Sequence, residues 1–250
     1  MLVNLYPNNF SFDSFLNISD LFHDDCLLFA EEVCGMKPNP DQISLFRDIE
    51  QPDAKVTIRS GVGTGKTGAM AVIALWWEMV HRESKAKAVS LSCSVLKKNL
   101  FAEMKKWYAR IALNPSFELL ASWFEFTGDE FSIKSRKMKE NWGFHLDSAF
   151  RTDAQKLAGL HSEYVLQIIE EASLLAKRQD VCDTMEGNLT ESEGNPGWAR
   201  QIMAGNPSVN YGPFYDSHHT KKDNYIAHHW NSEESKNVTK KDIKKFEKQF

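Results

Sequence analysis

Between residues 12 and 34, Phe12, Phe15, Leu16, Leu21, Phe22, Leu27, Leu28 and Phe29 recur among acidic residues. The spacing predicts one or two amphipathic helices. Pro38 and Pro40 interrupt this pattern, a short helix is expected over 41–49, and Gln51-Pro52-Asp53 reads as a turn. From there apolar runs of strand length alternate with longer helical patterns. Strands are expected over 55–59, 88–93, 164–169 and 200–204, with a candidate pair at 130–134 and 144–150 and an edge strand at 225–229. Helices are expected over 67–80 and 96–113. Strands separated by helices imply βαβ units and a mostly parallel sheet. At the far end Thr239 can cap a helix on which Ile243, Phe246 and Phe250 share one face.

The 250 residues, 42% of them hydrophobic, are enough to bury one substantial core. There is no apolar run of membrane-spanning length and no basic leader, so neither a membrane span nor a secretory signal is expected. Cys26, Cys34, Cys93 and Cys182 form no zinc pattern and read as reduced core thiols. The doublets His218-His219 and His228-His229 lack an evident third ligand and read as surface or structural residues.

Charge is unevenly spread. Residues 1–53 hold ten acids and two bases, a net of −8, so of the overall −4 the remainder carries +4. Its bases cluster at Lys97, Lys98, Lys105, Lys106 and Arg110, at Lys134, Arg136, Lys137 and Lys139, and near the C-terminus. Such runs are usually solvated faces; the first two are also candidate nucleic-acid contacts.

The strongest chemical signal is Ser60-Gly61-Val62-Gly63-Thr64-Gly65-Lys66-Thr67, which follows an expected strand and opens an expected helix. Its backbone amides can surround phosphate oxygens, and the helix N-terminus adds a favourable dipole. Lys66 would reach the β- and γ-phosphates of ATP, and the Thr67 hydroxyl would be a Mg²⁺ ligand. Ser60 stands where the motif has its first glycine. About a hundred residues later the strand Val165–Glu170 delivers Glu170, in the position of a metal ligand, and Glu171, in that of the base acting on water. Gln167 is an unexpected polar residue within that strand. A third element, Ala204-Gly205-Asn206-Pro207, places Asn206 at the carboxyl end of the sheet, where ligands of open α/β folds bind. Gln42 can pair with an adenine edge or be a plain exposed helix residue. The fold class expected is therefore α/β, a three-layer P-loop NTPase with a mostly parallel central sheet and a helical N-terminal lead-in.

In order, these pieces resemble phage terminase large subunits. Leu28-Phe29-Ala30-Glu31-Glu32-Val33 followed by Pro40-Asp41-Gln42 is similar to their entry segment and adenine-recognising Q motif. Val56-Thr57-Ile58-Arg59 leading into Ser60–Thr67 is similar to their Walker A region. Gly159-Leu160-His161-Ser162-Glu163-Tyr164 leading into Glu170-Glu171-Ala172-Ser173 resembles their Walker B region. Gly205-Asn206-Pro207 and Gly212-Pro213-Phe214-Tyr215 resemble their coupling motif. The resemblance covers roughly residues 25–235. It implies an ATP-hydrolysing motor threading double-stranded DNA into a procapsid, working as a ring on a portal protein with a small subunit that recognises the genome, in the host cytoplasm. By position, Gln42 would contact adenine, Lys66 and Thr67 phosphate and Mg²⁺, Glu170 and Glu171 metal and water, and Asn206 would couple hydrolysis to movement.

Two departures stand out. Some members carry an arginine inside the P-loop where this chain has Val62, which leaves Arg151 or a neighbouring subunit to supply one. Family members also continue into a nuclease, and no nuclease activity is expected of this chain. The organisation expected is a lead-in over 1–50, the ATPase over 51–232 and a linker over 233–250. Two other readings share these features: a helicase-like DNA translocase, and a nucleotide-binding assembly module that has lost turnover, which Ser60, Val62 and Glu170 would suit.

Overall fold

A computed structural model describes residues 12–150, 153–189, 198–235 and 238–239. The expected helix on Ile243, Phe246 and Phe250 lies outside them. The lead-in comprises α1 (Phe12–Leu21) and α2 (Cys26–Leu28), which runs on into a wider π-turn at Phe29–Val33, and then α3 (Pro40–Ile49). Asn39 starts α3 with a capping box: its side chain accepts from the Gln42 amide N–H, and the Gln42 side chain accepts from the Asn39 N–H.

The body is an eight-stranded sheet. Its strands are β1 (Lys55–Ser60), β2 (Lys85–Ser90), β3 (Phe124–Thr127), β4 (Glu130–Ile133), β5 (Gly143–Ser148), β6 (Val165–Glu170), β7 (Ala199–Gly205) and β8 (Ile226–Trp230). Their order is β3-β4-β5-β2-β6-β7-β1-β8. From β5 to β8 all neighbours are parallel, while β3 and β4 form an antiparallel hairpin against β5. The other helices are α4 (Lys66–Val80), α5 (Cys93–Leu96), α6 (Ala102–Leu113), α7 (Glu118–Ser122), α8 (Gln179–Asn188) and α9 (Pro213–His218). One face of the sheet, with Ile58, Ala88, Ile168 and Ile202, packs with the lead-in, α4 and α6 in the larger core. The other, with Val89, Ile169 and Met203, packs under α8 and α9 in a smaller one. Helices thus cover both faces, as a parallel sheet requires. Helix α4 is buried nearly all round, which its apolar sequence permits.

Several local expectations differ from the structure. Strand β2 begins three residues earlier than expected, because Lys87 is compensated inside the sheet: its Nζ pairs with Asp147 at 3.1 Å and donates to the Leu157 carbonyl at 3.3 Å. The short strand β3 is an addition to the expected set; it turns into β4 through Gly128 at φ 59°. The helical segment expected over 96–113 starts at Cys93 and contains a π-turn at Lys97–Phe101. All four cysteines are free thiols, with Cys26 and Cys34 buried. No helix among the described residues is long and apolar enough to cross a membrane.

Candidate functional site

The site forms where β1, β7 and β6 end side by side. Strand β7 lies between the other two, so Asn206, which follows it, stands between the P-loop after β1 and the acids that end β6. Backbone conformation explains the glycines of the loop. Gly63 and Gly65 adopt φ of 76° and 88°, the left-handed region that a side chain disfavours. A Cβ on Gly65 would also come within 2.8 Å of the Gln42 amide nitrogen.

Lys66 and Thr67 form the first turn of α4. The Thr67 hydroxyl donates to Glu170 Oε1 at 3.3 Å. Glu170 is buried, and its other oxygen, Oε2, has no hydrogen-bond partner. Burial pushes its pKa up to about 7; the neighbouring Glu171 adds to this, while Lys66 and the Thr67 hydrogen bond oppose it. Lys66 is buried as well, which lowers its pKa, although the charges of Glu171 and Glu170 pull the other way. An orphaned carboxylate oxygen beside a hydroxyl is a donor set that suits a hard, oxygen-preferring cation, so these residues fit Mg²⁺.

Glu171 needs a separate explanation. Successive residues of a strand point to opposite faces of the sheet. Glu170 takes the α4 side, so a strand continued through Glu171 would send that side chain to the other side. Instead Glu171 adopts φ 53° and ψ 43°. This left-handed turn breaks the alternation and places Glu171 on the wall of the same cleft as the P-loop and Asn206.

That cleft has a volume of about 660 Å³. Gln42 lines it but is already engaged: its oxygen accepts from the Asn39 N–H at 3.0 Å, and its nitrogen donates to the Gly65 carbonyl at 3.1 Å. One of its two N–H groups is left over. The structure therefore brings Gln42, the loop from Ser60 to Thr67, Glu170, Glu171 and Asn206 into one place. Arg151 lies outside the described residues.

Sequence reasoning missed the opposite wall. Glu103, Lys106 and Trp107 of α6 line the cleft, as do Met36 and Lys37 ahead of α3. Lys106, which the charge pattern groups with the basic patch, pairs with Glu103 at 3.1 Å instead of standing free. The available signal was the i, i+3, i+4 spacing of Glu103, Lys106 and Trp107, which puts them on one helix face. Of the rest of that patch, Lys97 pairs with Asp129, whereas Lys98 is exposed. Of the histidine doublets, His218 Nε2 meets the Thr57 hydroxyl at 3.0 Å and His228 meets Asp48 at 3.0 Å; no group of three potential metal ligands occurs among the described residues.

No family model matches the chain. A probable terminase large subunit of Enterobacteria phage P7 is 26% identical over 199 residues, covering 80% of this chain and 38% of that protein. The large terminase of a thermophilic bacteriophage superposes with a TM-score of 0.59 at 12% identity, over 86% of this chain and 51% of the other. The same terminase in complex with ADP gives 0.56 at 13% identity, over 90% and 50%. A mutant ATPase domain of the Thermus phage P74-26 large terminase gives 0.55 at 16% identity, over 88% of each chain. The match thus spans about half or less of the longer relatives and most of the isolated ATPase domain. Over four fifths of its length this chain is similar in sequence to a probable phage terminase large subunit, and its fold is that of the large terminase ATPase domains.

Proposed function

We propose that this chain hydrolyses ATP as the motor domain of a DNA-packaging terminase, coupling turnover to movement of double-stranded DNA into a procapsid. The observation that carries the reading is the meeting of the P-loop with two carboxylates from a strand about a hundred residues away. Thr67 Oγ1 and Glu170 Oε1 are 3.3 Å apart, and Glu171 lines the same cleft. A phosphate-binding loop alone would indicate only a nucleotide; the second strand adds what hydrolysis requires.

In this reading the loop amides and Lys66 hold the β- and γ-phosphates and offset their charge. Thr67 and Glu170 would hold Mg²⁺, which supplies further charge neutralisation on the phosphate oxygens. Glu171 takes a proton from the attacking water as its oxygen bonds to the γ-phosphorus and the bond to the β-phosphate oxygen breaks, giving ADP and phosphate. Asn206, between the two halves of the site, orients the water or the γ-phosphate. Gln42 offers its remaining N–H towards the base.

Among the described residues that line the cleft there is no arginine. A transition-state arginine would come from Arg151 or from an adjacent subunit of a ring, and such a group is worth about 10³–10⁵ in rate in related NTPases. Docking on a portal protein and handing-over of DNA by a small subunit belong to the same reading, as does a place in the host cytoplasm. The ADP complex of the thermophilic phage terminase supports nucleotide binding in this cleft by analogy of fold.

The test is steady-state ATP hydrolysis across protein concentrations, with and without double-stranded DNA, with Glu171→Gln as control. Turnover that rises with concentration or DNA and vanishes in the variant is expected. ADP binding without turnover under any condition would instead favour a non-hydrolysing assembly module.

A further inference from the structure

Strand β8 runs parallel to β1 at the sheet edge, pairing Ser60 with Trp230, so the chain leaving β8 emerges beside the P-loop. There it forms a compact set of turns. Asn231 Oδ1 accepts from the Glu233 N–H at 3.0 Å, the Ser235 N–H donates to the Ser232 carbonyl at 3.2 Å, and the Val238 N–H donates to the Ser235 carbonyl at 3.2 Å. Neither Ser232 nor Ser235 is among the residues that line the cleft, so these turns meet the loop from its other side. The Ser232 hydroxyl donates to the Val62 carbonyl at 2.9 Å, and the Ser235 hydroxyl to the Gly63 carbonyl at 2.8 Å. The Gly61 N–H donates to the Trp230 carbonyl at 3.3 Å. The two segments are so close that a Cβ on Gly61 would fall 2.0 Å from Ser232 Oγ, and one on Gly63 would fall 2.8 Å from the Val238 side chain.

The geometry of the peptide unit gives these bonds a consequence. In a planar trans peptide the C=O and the N–H point in opposite directions. Holding the Val62 carbonyl outward therefore turns the Gly63 N–H inward, and holding the Gly63 carbonyl outward does the same for Thr64. Gly63 could rotate its peptides freely, since it lacks the Cβ that would restrict them. A phosphate cradle built on such a residue needs some other restraint.

We propose that Ser232 and Ser235 are positioning residues of the nucleotide site, whose hydroxyls pin the outer carbonyls of the P-loop so that the Gly63 and Thr64 amides face the cleft before phosphate arrives. The inference rests on the reading of this cleft as a nucleotide site. It assigns a role in binding to a turn that the sequence divides between the ATPase and its linker. Because the restraint and the ligand act on the same peptides, they are coupled in both directions: phosphate on the inner face should also steady the turn outside it.

The experiment compares the full chain with Ser232→Ala, Ser235→Ala and Ser235→Thr, measuring the Kd of Mg-ADP by calorimetry together with the melting temperature without nucleotide. Loss of one pinning hydrogen bond should raise Kd about five- to tenfold in each alanine variant. Ser235→Thr, which keeps the hydroxyl, should bind like the parent, and the melting temperatures without ADP should stay close together. In steady-state turnover the alanine variants should raise KM and leave kcat nearly unchanged. A second measurement needs no variant: hydrogen exchange at Trp230–Ser235 in the parent protein should slow when ADP is added. Alanine variants that bind ADP as tightly as a parent that does bind it would overturn the inference, as would exchange at the turn that ignores ADP. A parent that fails to bind ADP at millimolar concentration would overturn the nucleotide-site reading itself.

Discussion

The left-handed backbone at Glu171 makes a measurable claim about stability as well as chemistry. For a residue with a Cβ, this conformation costs roughly 1–2 kcal/mol. Glycine does not bear that cost, but it loses about 0.5–1 kcal/mol more than alanine through the freedom it gives up on folding. Glu171→Ala and Glu171→Gly both remove the carboxylate and its repulsion of Glu170. Their difference therefore isolates the backbone. In an ordinary helix alanine is the more stable of the two. At φ 53° the order should reverse, with glycine ahead by about 0.5–1 kcal/mol. For a chain of this size that is about 1–4 °C in melting temperature. The assay is thermal unfolding by circular dichroism, checked by urea midpoints, with Glu171→Asn expected to fall between the two because asparagine tolerates this region. Neither Gly nor Ala should turn over ATP. Equal stability, or alanine ahead, would refute the argument that a strained turn aims Glu171 at the loop.

Other predictions follow from particular groups. Glu78 is fully buried in α4, with Ser84 donating to one oxygen at 3.2 Å, and burial raises its pKa well above the ordinary value. A carboxyl raised on folding binds its proton more tightly in the native state, so stability falls as pH climbs above the unfolded value near 4.5, by up to about 1.4 kcal/mol per unit until the folded pKa is passed. Glu78→Gln should flatten that decline in urea midpoints measured from about pH 5 to 9; an unchanged slope would show that Glu78 is not its source. Arg200 is buried and donates to the carbonyls of Ile49 and Glu50 at 2.8 and 3.3 Å, tying the end of α3 to β7. Arg200→Met should cost about 3 kcal/mol in chemical denaturation, since charged hydrogen bonds contribute about 1.5–3 kcal/mol each and the carbonyls lose their donor. For DNA, Lys97→Ala/Lys98→Ala/Lys105→Ala, which spares the cleft residue Lys106, should weaken binding and reduce the salt slope by about 0.9 for each phosphate no longer neutralised. An unchanged slope would make this patch a solvated face.

The chemistry was readable because it is written in short contiguous stretches. Ser60–Thr67 combines glycines, a lysine and a threonine in a run that needs only a preceding strand and a following helix, and Glu170-Glu171 marks the end of an apolar strand in the same direct way. Gln42 was visible too, and its capping bond to Asn39 is local to the start of α3, but its hold on the Gly65 carbonyl depends on where α3 lies against the loop. Helix α8 escapes a reading by periodicity because its buried stripe consists of Val181, Met185 and Asn188 only, too sparse a pattern to register. Lys106 reads as part of a DNA-facing patch for a related reason: helical spacing shows which residues share a face, but not what that face meets.

The sequence by itself determined the alternation of strands and helices, the phosphate loop, the identity of the two acids and the resemblance to terminases, all of them carried by short stretches of neighbours along the chain. Tertiary structure decided that β7 separates the P-loop strand from the acid-bearing strand, that Glu171 turns back towards the loop, that α6 forms the opposite wall, and that Ser232 and Ser235 come to rest on Val62 and Gly63. Those outcomes depend on strand order. Strand order is set by burying both faces of the sheet at once, a condition that no single segment carries in its own pattern.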